Sequence, residues 1–282
     1  MAKALLRSRT ALPASFVVTV VIFGAVLAHW VAPHDPGTIG TLDIANRLKP
    51  PFFLEGGTLD YALGTNSLGT DILSRLIFAA RVSLIVGVAA VALAGAVGVL
   101  LGLIAGYVGG WVDDLVMRIA DIQLALPPLL LAIFVMSVLG AGLLNVVIVL
   151  ALTSWVSYAR IVRGQVLALK AKEFVEAART VGATHASIMF RHILPNTLAP
   201  VIVIASFSVA NAIMTEAALS FLGLGVEPST PTWGSMLADG RDYLADAWWL
   251  AAFPGFAIML TVLGINLLGD WLRDYLDPRL KT

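Results

Sequence analysis

Six apolar stretches, each long enough to cross a bilayer, constrain the fold of this chain more than any other feature. They lie at about 14–33, 82–107, 114–139, 143–161, 198–222 and 248–269. A membrane-spanning helix needs about 20 mainly apolar residues, because the hydrocarbon core is about 30 Å thick. Backbone groups in lipid must be paired within the protein, which favours helices. The sequence therefore predicts an all-α membrane protein, with one six-span domain over residues 1–282.

The composition agrees with this class and excludes several others. Of the 282 residues, 59% are hydrophobic and 13% are charged, whereas soluble domains average about 45–50% apolar and about 25% charged. The formal net charge is zero, so nothing indicates a nucleic-acid partner. The chain has no cysteine, which excludes disulfides and metal sites built from thiolates.

The first apolar stretch has two interpretations. Lys3, Arg7 and Arg9 precede the run from residue 16 to 31, and a cleaved signal peptide begins in the same way. The segment Val26-Leu27-Ala28 resembles a cleavage site. We favour a retained first span, because the run is long for a signal peptide and further spans follow it.

The distribution of positive charge predicts the orientation of the chain. Six spans place both termini on one side of the membrane, and the stretches 34–81 and 223–247 on the other side. With the termini in the cytoplasm, thirteen of the 18 Lys and Arg residues lie inside and five lie outside. Because positive residues favour cytoplasmic loops, we expect cytoplasmic N- and C-termini and two outer loops.

Helix caps and close helix packing are also predicted. Asp71 can cap the helix that leads into the second span, with Arg75 and Arg81 snorkelling towards the surface. Asp113 and Asp114 are expected to cap the next helix. Small residues at four-residue spacing let helices approach closely in lipid, and we expect packing within this subunit rather than at a subunit interface. The glycines with this spacing in the second span are Gly87, Gly95, Gly98, Gly102 and Gly106.

The stretch 170–196, between the fourth and fifth spans, is a polar island with charges of both signs. Residues 173–181 predict a short helix with Phe174, Ala178 and Val181 on one face. The charge rule places this stretch in the cytoplasm. An element of this kind lies along the membrane surface and presents side chains to a partner.

Three residues are expected to shape the rest of this stretch. Gly182 predicts the end of the first short helix, because glycine tolerates a positive φ. Thr184 can cap a second short helix. Pro195 is expected to end that second helix.

These residues resemble the EAA loop of the permeases of bacterial ABC transporters, through Glu176-Ala177-Ala178, Gly182 and Leu194-Pro195. Residues 191–196 resemble the dipeptide, oligopeptide and nickel branch of that family. The stretches 63–76, 215–225 and 270–280 are similar to the same branch. In the family, the loop carries a coupling helix that docks into a groove of the ATPase. The resemblance therefore implies an ATPase-coupling role for Glu173, Glu176, Ala177, Ala178, Arg179, Gly182, Ala183, Leu194 and Pro195.

The resemblance also implies an assembly in a prokaryotic plasma (inner) membrane. Its partners would be a homologous second permease, two ATPase subunits or domains, an extracytoplasmic substrate-binding protein and membrane lipid. No Walker A pattern occurs in the chain, so ATP and Mg²⁺ are expected on the ATPases. This chain is then a transport subunit without a cofactor or enzymatic activity. The solute would be a peptide, or else a nickel chelate or another non-peptide solute.

Four residues are candidates for the lining of a translocation cavity. Pro127 and Pro128 interrupt the third span, and such a kink is tolerated only against protein or a water-filled cavity. A plain structural kink is the alternative. Asn211 and Glu216 lie in the fifth span. A carboxylate at that depth costs roughly 2.5–3.5 kcal/mol, so Glu216 should face a cavity or a hydrogen-bonding partner.

Two other functional classes are weaker. An ion-coupled secondary carrier normally buries several ionisable residues at mid-membrane, whereas this chain offers one good candidate, Glu216. An intramembrane enzyme would need a nucleophile beside a base, or a metal cluster. The four His residues lack the HisGluXXHis arrangement, so no catalytic or metal site is expected.

Overall fold

The structure is a computed structural model, and it describes residues 5, 8–34, 44–227 and 229–276. These residues form helices and connecting segments, without a β-strand. In chain order the α-helices are α1 (Ala11–Val26), α2 (Ala28–Val31), α3 (Ile72–Val108), α4 (Gly110–Leu124), α5 (Pro128–Leu139), α6 (Leu143–Lys170), α7 (Glu173–Thr180), α8 (His185–Ser187), α9 (Leu194–Phe221), α10 (Trp233–Arg241) and α11 (Trp249–Leu276). A π-helix, Ile188–Ile193, joins α8 to α9. The predicted all-α class is confirmed.

The number of membrane spans agrees with the prediction only in part. Four helical runs are long and apolar enough to cross a bilayer, namely α3, α6, the continuous run His185–Phe221 and α11. Helices α4 and α5 would add a fifth span if they are taken together. Helix α1 is apolar but has only 16 residues. The structure therefore gives four or five candidate spans where the sequence predicted six.

The predicted cytoplasmic location of both termini rests partly on positive residues near the two ends of the chain. Lys3, Arg7, Arg279 and Lys281 lie outside the described residues. The two predicted outer loops do meet at one end of the bundle, where Arg75 of the first loop contacts Asp239 of the second.

Helix α3 begins at Ile72, directly after the predicted cap and ten residues before the predicted second span. The last ten residues of the predicted outer loop are therefore helical. The cap is the predicted one, because the Asp71 carboxylate accepts from the backbone N–H of Ser74 at 2.8 Å and from its hydroxyl at 2.7 Å. An N-cap of this kind satisfies a backbone donor that the first turn would leave unpaired.

The prediction that Arg75 snorkels to the surface is wrong. Its side chain is only 10% exposed, and its Nη2 donates to Asp239 Oδ2 on α10 at 3.0 Å. Arg75 lies in the first turn of α3, and its positive charge is paired with the Asp239 carboxylate instead of being solvated by bulk water. The sequence alone could not place these residues together, because they are separated by 164 positions.

Glycines in α3 allow its backbone to pack in close contact with α6. A Cβ added at Gly98 would lie 2.4 Å from the carbonyl oxygen of Trp155, and one at Gly102 would lie 2.4 Å from that of Ala159. A Cβ at Gly106 would lie 3.0 Å from the carbonyl oxygen of Arg163, which is also in α6. These approaches confirm that the glycine pattern serves helix packing within this subunit.

The predicted third span is divided into two helices. Helix α4 ends at Leu124 and α5 begins at Pro128, with an angle of 89° between them. Pro127 has an extended backbone, with ψ at 127°, as expected for a residue that precedes another proline. Two consecutive prolines therefore break this stretch instead of kinking a continuous helix.

The predicted cap of that stretch is also wrong. Helix α4 begins directly after Gly109, which has a φ of +72° and serves as its N-cap. Asp113 instead accepts from Arg163 Nη2 on α6 at 2.6 Å. Helix α6 itself continues to Lys170, past the predicted end of the fourth span near residue 161.

The predicted helix stop at Pro195 is wrong as well. Helix α8, the π-helix and α9 follow one another without a break, and Pro195 lies in the first turn of α9. Proline lacks a backbone N–H, and the π-helix directly before α9 interrupts the regular hydrogen-bond pattern of an α-helix at this point. Nearby, Asn196 Nδ2 donates to the carbonyl of His192 at 2.7 Å. The polar stretch therefore passes directly into the fifth predicted span.

Candidate functional site

Helix α7 packs on the ends of α3 and α6 through two residues. Val175 is 0% exposed and Ala178 is 7% exposed. Phe174 and Val181, which were predicted to share a face with Ala178, are 42% and 84% exposed. The predicted apolar face is therefore split between the protein interior and the surface. The buried residues beneath α7 are Leu103, Tyr107, Val162, Val166, Ile188 and Ile193.

The outward face of α7 combines exposed charged and apolar side chains. Glu173, Glu176 and Arg179 are exposed. None of these three forms an ion pair with any residue that the structure describes. Ala177 is exposed beside them. The outward face of α7 therefore carries three charges that are unpaired within the described part of the chain, beside exposed apolar side chains.

Gly182 turns the chain after α7 with a φ of +79°, which confirms the predicted positive φ. A Cβ at this position would meet no atom within 4 Å, so the backbone conformation, and not lack of space, favours glycine. Two backbone hydrogen bonds close the turn, from Gly182 to Arg179 at 2.9 Å and from Ala183 to Ala178 at 3.0 Å. The predicted cap at Thr184 is also confirmed, since its hydroxyl accepts from the backbone of Ser187 at 3.3 Å.

A polar cluster that the sequence did not reveal holds this stretch against the spans. The Tyr107 hydroxyl and His185 Nδ1 are hydrogen-bonded at 2.7 Å, and Lys170 Nζ donates to the carbonyl of Tyr107 at 2.6 Å. A lysine near the end of a helix is a known signal for this kind of contact. Its partner on another helix could not be read from the sequence.

The other predicted coupling residues surround this turn. Ala183 and Leu194 are half-buried and pack against the cluster under α7. Pro195 is exposed. The structure therefore brings the residues of the EAA-like pattern to one end of the bundle, around α7 and the start of α9.

The four candidates for a cavity lining have different environments. Pro127, Pro128 and Asn211 are exposed. Glu216 is 0% exposed, and its carboxylate accepts from the Ser83 hydroxyl at 3.2 Å and from the Ser220 hydroxyl at 2.7 Å. These contacts are the hydrogen-bonded alternative that the sequence left open for this carboxylate.

Comparison with known proteins places these features in a family. Residues 98–282 match the family described as "Binding-protein-dependent transport system inner membrane component". The chain is 47% identical over 275 residues to the di/tripeptide transport system permease protein of Pseudomonas aeruginosa, covering 98% of this chain and 90% of that protein. It is 45% identical over 275 residues to glutathione transport system permease proteins of Escherichia coli and Shigella boydii, covering 98% of this chain and 88% of each.

The family match includes α7, the Gly182 turn and α9, which are the elements that carry the EAA-like pattern. The two kinds of relative align with almost the whole chain, including the segment around Asp71 and Arg75 that precedes the family match. The chain therefore belongs to the binding-protein-dependent inner membrane components of transport systems, and among them to the ABC importer permeases of the dipeptide, oligopeptide and nickel type.

Proposed function

We propose that this chain forms half of the translocation pathway of an ATP-driven importer for peptides or a related small solute. The relatives are named as permeases for di/tripeptides and for glutathione, and this supports a peptide-like solute rather than a nickel chelate. Pro127, Pro128 and Asn211 are exposed in the single chain, and we assign them to the pathway that it would share with a homologous second permease.

The outward face of α7 is the observation that carries this proposal. Val175 and Ala178 fix the helix to the spans, while Glu173, Phe174 and Glu176 are left exposed on it. An ATPase groove that receives this face would bury Phe174 and pair the free charges. Apolar burial contributes about 25 cal/mol per Å², whereas an exposed ion pair contributes only about 0–1 kcal/mol. Phe174 should therefore contribute more to docking than Glu176.

ATP and Mg²⁺ would then act on the partner subunits. Closure of an ATPase pair would move the docked α7, and the Gly182 turn would pass this motion to the start of α9. Because the π-helix and α9 follow without a break, the movement would reach the fifth predicted span directly. An extracytoplasmic binding protein would deliver the solute to the other side of the membrane.

The test is a pair of glycine substitutions with the same side chain. Gly182→Val places a β-branched residue at a φ of +79°, which costs at least about 1–2 kcal/mol for an L-residue and re-aims α7. Gly164→Val is the control, because Gly164 lies in α6 with no atom within 4 Å of its Cβ position and without a positive φ. We measure co-purification of the ATPase and its activity at saturating binding protein and solute.

We expect normal membrane insertion of both variants, and a loss of ATPase binding or of solute-stimulated ATP hydrolysis only in Gly182→Val. Glu176→Gln should have a smaller effect. Full complex yield with full stimulated activity in Gly182→Val would refute the coupling role of this stretch. Solute uptake that is driven by an ion gradient without ATP would instead support a secondary carrier.

A further inference from the structure

A polar pocket lies at the end of the bundle opposite α7. It has a volume of about 550 Å³, is open to the surface, and is bordered by the start of α3, the end of α9 and helix α10. This volume falls within the range of about 300–1,000 Å³ that is common for sites of small molecules. Two arginines and two aspartates line it, together with several hydroxyl side chains; the charged residues are Arg75, Asp239, Arg241 and Asp242.

The four charged side chains form two ion pairs with spare hydrogen-bonding capacity. Arg75 Nη2 contacts Asp239 Oδ2 at 3.0 Å, and Arg241 Nε contacts Asp242 Oδ1 at 3.2 Å. A guanidinium carries five N–H donors in a fork that matches a carboxylate with two parallel hydrogen bonds. Arg75 Nε is buried and has no hydrogen-bond partner among the described residues. The guanidinium of Arg75 is thus only partly satisfied.

The exposed fractions of the two partners differ. The Arg75 side chain is 10% exposed, while that of Asp239 is 48% exposed. A buried guanidinium is strongly attracted to a carboxylate, because little water competes for its donors. If the carboxylate of a solute replaced Asp239 on Arg75, the half-exposed Asp239 could be hydrated by water. Leaving the buried Arg75 without a carboxylate would cost more free energy than releasing Asp239 does. The pair is therefore able to accept a carboxylate from outside.

The wall that carries Asp239 is held rigidly. A Cβ at Gly234 would lie 2.4 Å from the carbonyl oxygen of Ala217, so α10 is in close contact with α9. Trp233 Nε1 donates to the carbonyl of Leu76 on α3 at 3.1 Å. Because α10 is fixed to both neighbours, the charged groups are held in place before any solute arrives, which lowers the cost of binding.

We propose that this pocket is a transit subsite for a zwitterionic solute, whose carboxylate binds Arg75 and whose ammonium group binds Asp239. The charged lining has equal numbers of cations and anions, so a bound zwitterion leaves the pocket without a net charge. A bound simple anion or cation would give the pocket a net charge. The inference rests on the proposed function, because a short peptide with two free termini is the zwitterion that such an importer would carry.

The test uses a single cysteine, since the chain has none of its own. Ala238→Cys places a thiol in the pocket wall, and Glu55→Cys places one on an exposed site outside the pocket. We measure the rate of maleimide labelling of this chain in vesicles that contain the assembled importer without its binding protein. The probes are dialanine, dialanine amide and N-acetyl-dialanine.

We expect dialanine to slow labelling at position 238 but not at position 55. Dialanine amide lacks the carboxylate and N-acetyl-dialanine lacks the ammonium group, so each should protect about tenfold less well, equivalent to 1.4 kcal/mol. Protection by the amide that equals protection by dialanine would overturn the assignment to Arg75. Equal protection of both cysteines, or of neither, would overturn the site.

A double variant tests the arginine itself. Arg75→Gln with Asp239→Asn removes both charges together, so no buried charge is left without a partner. We expect this variant to require about tenfold more dialanine for the same protection at position 238. Arg160→Gln with Asp121→Asn removes an ion pair between α4 and α6 and is the matched control, which should not change protection. A double variant that assembles normally and keeps full protection would exclude Arg75.

The outcomes separate this inference from the proposed function. If the importer transports dialanine but dialanine gives no protection at position 238, the subsite is wrong and the function stands. If protection occurs but the assembled complex imports no peptide, the proposed function is wrong and the pocket is still a zwitterion site.

Discussion

Replacing Gly102 with alanine should loosen the contact between α3 and α6. The new Cβ would lie 2.4 Å from the carbonyl oxygen of Ala159 and 2.9 Å from its Cα. Both are backbone atoms, so no change of rotamer can relieve the overlap, and α6 has to move by about 1 Å to reach an ordinary contact of 3.4 Å. Overpacking of this kind typically costs about 1–3 kcal/mol.

A second effect of the same substitution acts in the opposite direction. Alanine is favoured over glycine within a helix by about 1 kcal/mol. The expected net change for Gly102→Ala is therefore a destabilisation of about 0–2 kcal/mol. Gly164→Ala isolates the helix-propensity effect, because Gly164 also lies within a helix but has no atom within 4 Å of its Cβ position. The difference between the two variants should be the steric cost alone, about 1–3 kcal/mol.

The assay is equilibrium unfolding of the purified chain in mixed micelles, with both variants measured in one detergent. We expect Gly164→Ala to be as stable as the unmodified chain or more stable, and Gly102→Ala to be the less stable of the two. Equal stability would mean that α3 and α6 are not in backbone contact at this position. The packing interpretation of the glycine pattern would then be wrong.

Four further predictions concern other parts of the chain. Ser220→Ala removes the shorter hydrogen bond to the buried Glu216 and should lower the free energy of unfolding by about 1–3 kcal/mol, measured in the same micelles. If Glu216 is structural, Glu216→Gln should slow the uptake of free and N-acetylated peptides equally; selective slowing of the free peptide would instead indicate contact with the solute. Glu55→Cys, at an exposed position of the first predicted outer loop, should react with an impermeant maleimide in intact cells, and reaction only after permeabilisation would reverse the predicted topology. Tyr107→Phe removes the 2.7 Å contact to His185 and should increase amide hydrogen exchange in α7, whereas unchanged exchange would show that this contact does not hold the helix.

The fold class and the Gly182 turn could be predicted from the sequence because each depends on local chemistry. Apolar length alone determines whether a segment can cross a bilayer. A positive φ is costly for residues with a Cβ, so glycine at the end of a short helix indicates its own conformation. The cap at Asp71 follows from the same kind of local rule, since its hydrogen bonds reach only three residues ahead.

The features that were missed depend on contacts between distant parts of the chain. Phe174 and Val175 are both apolar, and only the positions of α3 and α6 decide that Val175 is the buried one. Arg75 was assigned to the surface because its partner on α10 could not be seen. The end of the second short helix was placed at Pro195 because proline usually stops a helix. The sequence contains no local pattern that predicts the change from π-helix to α-helix just before Pro195.

The continuity of the run His185–Phe221 has a mechanical consequence. Its 37 residues form a helical rod about 55 Å long at a rise of 1.5 Å per residue, which includes the π-helix and has Pro200 in the interior of α9. The rod has Thr184 and α7 at one end, and Glu216, Ser220 and the polar pocket at the other. A tilt of about 10° around the first end would displace the far end by about 10 Å over that length. A small rotation imposed at the α7 end would thus change the width of the pocket at the opposite end of the bundle.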